Sequence, residues 1–320
     1  MSLSKLTDCI ESQFPEVRDS DGYVPASVPG LAVLRHWSTM PIQATVYEPV
    51  MCLILQGRKE TRSGSLHADF GPGESLIVSH DVPVMSRVTE APYLALLLTV
   101  DRGILVSLSR DIDHESVPRG PQTSLNVGRT EPPLLDALAR YAALHGKPAE
   151  ARAVGPLVLR EIHYRLLVAP HGGLLRRLLS QDSNASHIAR AIRMIREQYR
   201  DEIRMPALAK AMGMSDSAFH RHFKAVTGTT PLQYQKDLRL TEARRLISSA
   251  RYSVSRAAVE VGYRSPSQFS REYSRKFGVA PRSEMGVLTG SLLDDGEVDL
   301  RVGVAGIHDA DGPRAWRSGG

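Results

Sequence analysis

The chain repeats itself once, and the repeat limits what its last hundred residues can fold into. "ALAKAMGMSDSAFHRHFKAVTGTTP" and "SRAAVEVGYRSPSQFSREYSRKFGVAP" keep one register. Phe219 matches Phe269, Arg221 matches Arg271, Phe223 matches Tyr273, Gly228 matches Gly278 and Pro231 matches Pro281, each pair 50 positions apart. Gly213 and Gly262 are 49 apart, so the second turn carries one extra residue. A repeat of one supersecondary unit implies two copies of one small motif.

Within each copy the spacing is helical. Phe219, Phe223 and Val226 fall at i, i+4 and i+7, a single apolar stripe. Ser217, His220, Arg221 and Lys224 share another face, which carries no acid. Gly228 stops this helix and Pro231 opens the next. Ahead of it, Pro206 to Met212 reads as a short helix and Gly213 as a tight turn. Helix, Gly-containing turn, helix is the helix-turn-helix pattern. In the second copy Ser267, Ser270, Arg271 and Ser274 form the polar face, with Gln268 beside it, and Phe269, Tyr273 and Phe277 form the stripe.

Residues 232 to 249, uninterrupted by Gly or Pro, predict a connecting helix about 27 Å long. Major-groove faces on one side of a duplex recur about every 34 Å, so such a strut suits two readers on adjacent turns. Before the first copy, Ser186 is the expected N-cap of a packing helix with Ile188, Ile192, Ile195 and Tyr199 as its stripe.

Charge follows the repeat. Residues 184–286 hold 19 Lys/Arg and 9 Asp/Glu, a net of +10, whereas 1–183 net −2 and 287–320 net −3. Localised basicity is the footprint of phosphate contacts.

The doubled unit resembles the AraC/XylS family of bacterial transcription regulators, over roughly residues 185 to 286. The resemblance implies that the second helix of each unit (216–226 and 266–277) enters the major groove of double-stranded DNA. Carried over, Ser217, His220 and Arg221 face bases in one groove, and Ser267, Gln268 and Arg271 in the next. Lys210, Lys224, Arg239 and Arg275 are the candidates for phosphate contact. Tyr263 stands where the family usually has phenylalanine. The ending "PRSEMG" lacks the usual aromatic–basic finish, which implies a short last helix.

The first half has another texture. "GLAVLRHW", "VMCLILQGRKETR", "GSLHADFGPGESLIVS" and "PYLALLLTV" are short apolar or alternating runs between Gly, Pro and Asp turns. "SGS" at 63–65 and "FGPGES" at 70–75 read as hairpin corners, and strands at this spacing predict a small barrel or sandwich. After Pro132 the pattern turns helical, and those helices either cover the barrel or supply a homodimer face. The stretch from "YEPVMCLILQGRKETR" to "SHDVP" also resembles the cupin-like regulatory domain of one AraC-family branch, over roughly 25 to 180.

The expected fold is therefore two-domain: a mainly β, cupin-like barrel followed by helices, then an all-α domain with two helix-turn-helix units. The expected boundaries are 1–24 as an N-terminal arm, 25–180 as the effector-binding domain, 181–286 as the DNA-binding domain and 287–320 as a disordered tail. His36, Trp37, Tyr47, Met51, Cys52 and Gln56 are the candidates for an effector pocket. The implied partners are promoter DNA, an unidentified small molecule and, for an activator, RNA polymerase.

The competing reading is a metal-dependent cupin enzyme or a stand-alone binding module with an incidental helical domain. Such enzymes need about three His and a carboxylate, usually with an H-x-H pair on one strand. Here His36, His67 and His80 stand apart, and the one H-x-H, His220/His222, lies in a helix, where i and i+2 face different ways. There is no Gly-x-Ser-x-Gly elbow, and "FGPGES" lacks the lysine of a phosphate loop. No catalytic residue, metal or cofactor is expected. Cys9 and Cys52 form neither metal spacing nor a disulfide framework. The longest apolar run, residues 93–100, is too short for a membrane span, and the N-terminus lacks a signal-peptide core, so a reducing cytoplasm is expected.

Overall fold

The computed structural model describes residues 1–109, 123–179, 183–249 and 252–284. The tail expected to be disordered and the end of "PRSEMG" lie outside the described residues.

Eight strands form one antiparallel sheet: β1 (Gly22–Pro25), β2 (Leu31–His36), β3 (Gln43–Tyr47), β4 (Val50–Ser63), β5 (Leu66–Phe70), β6 (Glu74–Val78), β7 (Val82–Thr99) and β8 (Leu125–Arg129). The order is β1-β2-β7-β4-β6-β8, with β3 added to the first half of β7 and β5 to the second half of β4. Alternation along β4 sorts its side chains onto two faces. Cys52 and Ile54 point into a core built from strand residues alone, with Leu34, Phe70, Val84 and Ala95. Met51, Leu53 and Leu55 point to the other face, under the helices. A sheet that encloses a core of its own residues is curled, which is the cupin-like arrangement the sequence implied.

Gly57 sits at an irregularity in β4. Its φ is +73°, and a Cβ there would lie 2.4 Å from the Glu90 carbonyl oxygen and 2.8 Å from that of Pro92. Register shifts between Ile54 and Lys59 surround it, and an odd number of extra residues exchanges the two faces. Beyond the bulge Lys59 pairs with Val88 and Phe70 and therefore joins the inner face, while Gln56 pairs with Leu94 on the outer one.

The outer face is covered by α1 (Leu3–Gln13), α2 (Arg102–Leu108), α3 (Pro132–Ala142), α4 (Pro148–Val168) and α5 (Gly173–Leu179). The segment expected to be an arm is part of this core: Leu6, Ile10, Phe14 and Val17 are wholly buried. Their spacing gives α1 one apolar side, and Ser2 caps it by accepting from the Lys5 amide.

Four buried histidines, His36, His80, His163 and His171, make this domain acid-sensitive, the shift being large at His80 and His171. Burial lowers His80 to about 3 and His171 to about 4, from an ordinary 6.5. The Ser75 hydroxyl lies 3.0 Å from His171 Nε2. The unfolded chain binds these protons more readily, so stability is complete above about pH 6.5 and falls as pH drops toward 4. A melting midpoint that declines over that window, less steeply in His171→Gln, is the expected result.

The C-terminal domain comprises α6 (Asn184–Glu197), α7 (Met205–Ala211), α8 (Asp216–Thr227), α9 (Pro231–Ser248), α10 (Val254–Glu260) and α11 (Pro266–Phe277). The cap of α6 is Ser183 and not Ser186; the Ser186 amide donates to Ser183 Oγ at 3.0 Å. The apolar stripe begins one turn inside this helix, which displaced the expectation. α9 carries two cores. Its first half, with Tyr234 and Leu238, packs on α6, α7 and α8. Its second half, from Leu240 to Ile247, packs on α10 and α11.

Candidate nucleic-acid interface

The two repeat units match in structure residue for residue at their ends. Ser215 caps α8 through the Ala218 amide, and Ser265 caps α11 through the Gln268 amide. Gly228 and Gly278 both close their helices at φ 75°. Phe219, Phe223, Phe269 and Tyr273 are wholly buried, so each helix is held by two aromatic rings and its opposite face is left to solvent. Gly213 and Gly262 take the positive φ the turns require.

On the solvent faces, Ser217, Arg221, Ser267, Gln268 and Arg271 are exposed and His220 is half-buried. Arg221 and Arg271 have no ion-pair or hydrogen-bond partner among the described residues. Their five donors each are uncommitted, which suits a guanine edge or a phosphate. His220 Nδ1 lies 3.0 Å from the Asp216 carbonyl, so the Nδ1 tautomer donates there and leaves Nε2 as an acceptor. Gln268 is partly occupied, its amide donating to Glu272 at 3.2 Å. Glu272 in turn accepts from Lys236 and from the Tyr263 hydroxyl. Tyr263, the departure from the family pattern, thus uses its hydroxyl inside this network, and the same contacts hold Glu272 below the ordinary carboxylate range against its burial.

Among the phosphate candidates, Lys210, Lys224 and Arg275 are exposed. Arg239 is a correction. Its guanidinium donates to the carbonyls of Tyr199, Arg200, Asp201 and Gly262, so it staples the α6–α7 connection to the turn before α11. Those acceptors lie at least 23 residues away along the chain, beyond the reach of local pattern.

The structure also divides the six effector-pocket candidates. His36, Tyr47 and Cys52 meet on the inner face of the sheet, with Tyr93 among them: the His36 and Tyr93 rings are 6.2 Å apart, and Cys52 Sγ is 3.9 Å from the Tyr93 hydroxyl. Met51 lies under the helices. Gln56 and Trp37 lie on the outer face with Arg35, which donates to Gln56 at 2.9 Å and stacks 3.8 Å over the Trp37 ring. Sequence parity missed Lys59, which joins the inner set only because of the Gly57 bulge. Among the described residues no group of three or more His, Cys, Asp or Glu is placed to hold a metal ion. None of their helices is long and apolar enough to cross a membrane.

The two domains touch at the end of α8. The Ser65 amide and hydroxyl both donate to the Gly228 carbonyl at 3.0 Å, and the Ser124 amide donates to the Val226 carbonyl at 2.9 Å. The last carbonyls of α8, which lack partners within the helix, are thus satisfied by the sheet domain. A Cβ at Gly228 would lie 2.7 Å from the Leu66 side chain, so glycine is needed for the approach as well as for its φ. Beside this seam Arg196 of α6 bridges Glu48 and Asp81, each at 2.5 Å, and the Tyr234 hydroxyl donates to the Asp81 carbonyl at 2.6 Å. Burial raises Asp81, and Arg196 opposes that shift. Arg196→Met leaves two largely buried carboxylates without their cation, and an expected loss of about 1–3 kcal/mol follows, less than for a wholly buried pair because Arg196 is part-exposed. The loss should shrink as pH falls, because burial already raises Asp81 and its protonation then relieves the stranded charge; denaturant melts across a pH series check it.

Two helix-turn-helix units on one shared helix, joined to a curled antiparallel sheet backed by helices, define a two-domain helix-turn-helix protein. The family model for the AraC-type transcriptional regulator N-terminus matches residues 27–174, and a helix-turn-helix domain model matches residues 208–284. The chain belongs to the AraC/XylS family of transcriptional regulators. It is 30% identical to the HTH-type transcriptional regulator ExsA of Pseudomonas aeruginosa over 131 residues, 41% of this chain and 47% of that protein. It is 31% identical to the HTH-type transcriptional activator RhaS of Escherichia coli over 101 residues, 32% of this chain and 36% of that protein. The matches therefore span less than half the length of these curated relatives. The fold is similar to that of unsaturated fatty acid-bound ToxT from Vibrio cholerae, with a TM-score of 0.52 and 11% identity over 82% of this chain and 95% of that one.

Proposed function

We propose that the chain is a sequence-specific regulator of transcription that lays α8 and α11 in adjacent major grooves of duplex DNA. Ser217, His220 and Arg221 contact bases in one groove, and Ser267, Gln268 and Arg271 in the next. Lys210, Lys224 and Arg275 contact phosphates. The observation that carries this reading is the pair of uncommitted guanidinium groups, Arg221 and Arg271, at equivalent positions of two duplicated helices in a region of net charge +10.

A small molecule bound inside the sheet domain modulates this binding. Support comes from the inner set His36, Tyr47 and Cys52 and from the seam at Gly228, which offers a route from sheet to reader. A ligand shifts such an equilibrium only by its differential affinity for two arrangements, and a seam that can open supplies the second. Self-association through α4 is supported by Val154, Leu157 and Tyr164, apolar residues exposed on one helix. An activator of this build engages RNA polymerase at its promoter. The protein is not an enzyme on this reading, and it works in the cytoplasm.

Selection of bound duplexes from random DNA, followed by hydroxyl-radical footprinting, tests the proposal. Two protected major-groove faces about one helical turn apart on one side of the duplex are expected. Protection of a single groove overturns it.

A further inference from the structure

The tip of one hairpin in the sheet domain stands at the end of the reading face of α8. β4 and β5 pair from Lys59 with Phe70 down to Ser63 with Leu66, and Gly64 and Ser65 form the turn between them. Both turn residues lie against Gly228. The Ser65 amide and hydroxyl donate to its carbonyl, and a Cβ at Gly64 would lie 2.5 Å from that oxygen. Glycine on both sides lets the two backbones come this close. Ser217, Arg221, Lys224 and Gly228 stand at i, i+4, i+7 and i+11, so the hairpin covers the end of the stripe that carries the exposed polar side chains. The ties of Arg196 and Tyr234 to Glu48 and Asp81 run from α6 and α9, which pack on α8, and they hold the hairpin to this place.

The outward face of this hairpin is basic near its tip, although residues 1–183 net −2. Arg62 on β4 pairs with His67 on β5, and Glu60, two positions back along β4, pairs with Arg87 on β7. Arg62, His67 and Arg87 are all exposed. They share one carboxylate: Glu60 accepts from Arg62, accepts from Arg87 at 2.7 Å and lies 2.9 Å from His67 Nε2. One negative charge between two guanidiniums leaves a positive surplus, and each guanidinium has five donors, of which Glu60 takes only some. Farther from the tip the outward charge changes sign, since Arg58 stands between Asp69 and Glu90. The surplus is therefore concentrated where the hairpin meets α8.

We propose that the β4–β5 hairpin is a third DNA-contacting element, in which Arg62 and His67, backed by Arg87, bind the phosphates that flank the half-site under α8. The inference rests on the reading of α8 as a helix that enters the major groove. From Arg221 to Gly228 is seven residues, about 10 Å of helix. The groove is about 12 Å wide, so with Arg221 at a base edge the end of α8 emerges at the groove's rim, where the sugar–phosphate strand runs. Charged side chains at the rim meet phosphates and not base edges, so the hairpin adds affinity and fixes orientation without reading sequence. The contact is one-sided. A Cβ placed at Gly278, the matching end of α11, meets no described atom within 4 Å.

The test compares the full chain with its Arg62→Gln/His67→Gln and Arg62→Lys variants on a selected duplex and on an unrelated one. Both side chains are exposed and Arg87 remains with Glu60, so the fold is expected to persist, and a thermal melt checks that. The double variant is expected to bind both duplexes about threefold to tenfold more weakly at moderate salt, with a log–log salt slope shallower by about 1. Its base preference should be unchanged. Hydroxyl-radical footprinting should show wild-type protection running past the half-site under α8 but not past that under α11, and the double variant should lose this extension. Arg62→Lys keeps the charge and should retain the slope and the extension. The inference is overturned if affinity, slope and footprint are all unchanged. It is equally overturned if the double variant binds more tightly, because the hairpin is then an obstruction at the groove. The two readings fail differently. Two protected grooves with a flank indifferent to the variant remove the hairpin contact and keep α8 as a reader. A single protected groove, or no selected duplex, removes both.

Discussion

Phe269→Ala is expected to destabilise the second helix-turn-helix unit by about 3–5 kcal/mol while leaving the first nearly intact. Phe269 is wholly buried, with the Tyr263 ring centre 5.2 Å away and that of Tyr273 5.4 Å away. Its cluster draws on α10, α11 and the second half of α9, and shares no fully buried residue with the cluster of the first unit. Truncation therefore leaves a cavity on one side of α9 only. Tyr199, half-buried between the two, is the side chain through which some of the loss can spread. Native-state hydrogen exchange checks the claim. Protection should fall in 254–277 and persist in 184–227. A uniform loss across both units would show that α9 fuses them into one cooperative core. Affinity for a selected site should fall to that of one reader, because α11 no longer holds its face to the groove.

Replacing Arg221 and Arg271 together by alanine is expected to cost about 2–6 kcal/mol of specific DNA binding, roughly 30-fold to 10⁴-fold in affinity. Each bidentate arginine–guanine contact discriminates by about 1–3 kcal/mol, and contacts in separate grooves add. Binding to unrelated duplex should weaken far less, and only by what two lost charges remove from the salt dependence. The lysine pair, Arg221→Lys with Arg271→Lys, separates the roles: it keeps the charge and loses the planar fork. Competition binding at fixed salt decides. If the lysine pair retains full specificity, the two arginines touch phosphates and the bases are read elsewhere.

The DNA-binding half was legible because its constraints are local. Phenylalanines at i and i+4, a glycine stop and a proline start recur within one turn of where they act, and α8 and α11 lie where that pattern places them. Arg239 was misjudged for the opposite reason. A basic residue on a basic domain reads as a phosphate contact until the four carbonyls that surround it are brought there by folding. The N-terminal segment read as an arm because three apolar residues at helical spacing in a polar context give little signal without the α3 surface they bury against. Lys59 hides behind a register change: alternation counted from Cys52 puts it outside, and only the Gly57 bulge turns it inward. The seam at Gly228 joins segments more than 160 residues apart, which no pattern within one segment announces.

The unequal tethering of the two readers has a consequence for promoter choice. The last turn of α8 is grafted onto the sheet domain through Val226 and Gly228, whereas no described residue comes within 4 Å of where a Cβ at Gly278 would stand. A strain set up in the sheet arrives first at the half-site under α8, and the half-site under α11 feels it only through the shared rod. Operators that differ in the first half-site should therefore diverge in how strongly they respond to a signal, while those that differ in the second should diverge mainly in how tightly they are held at rest.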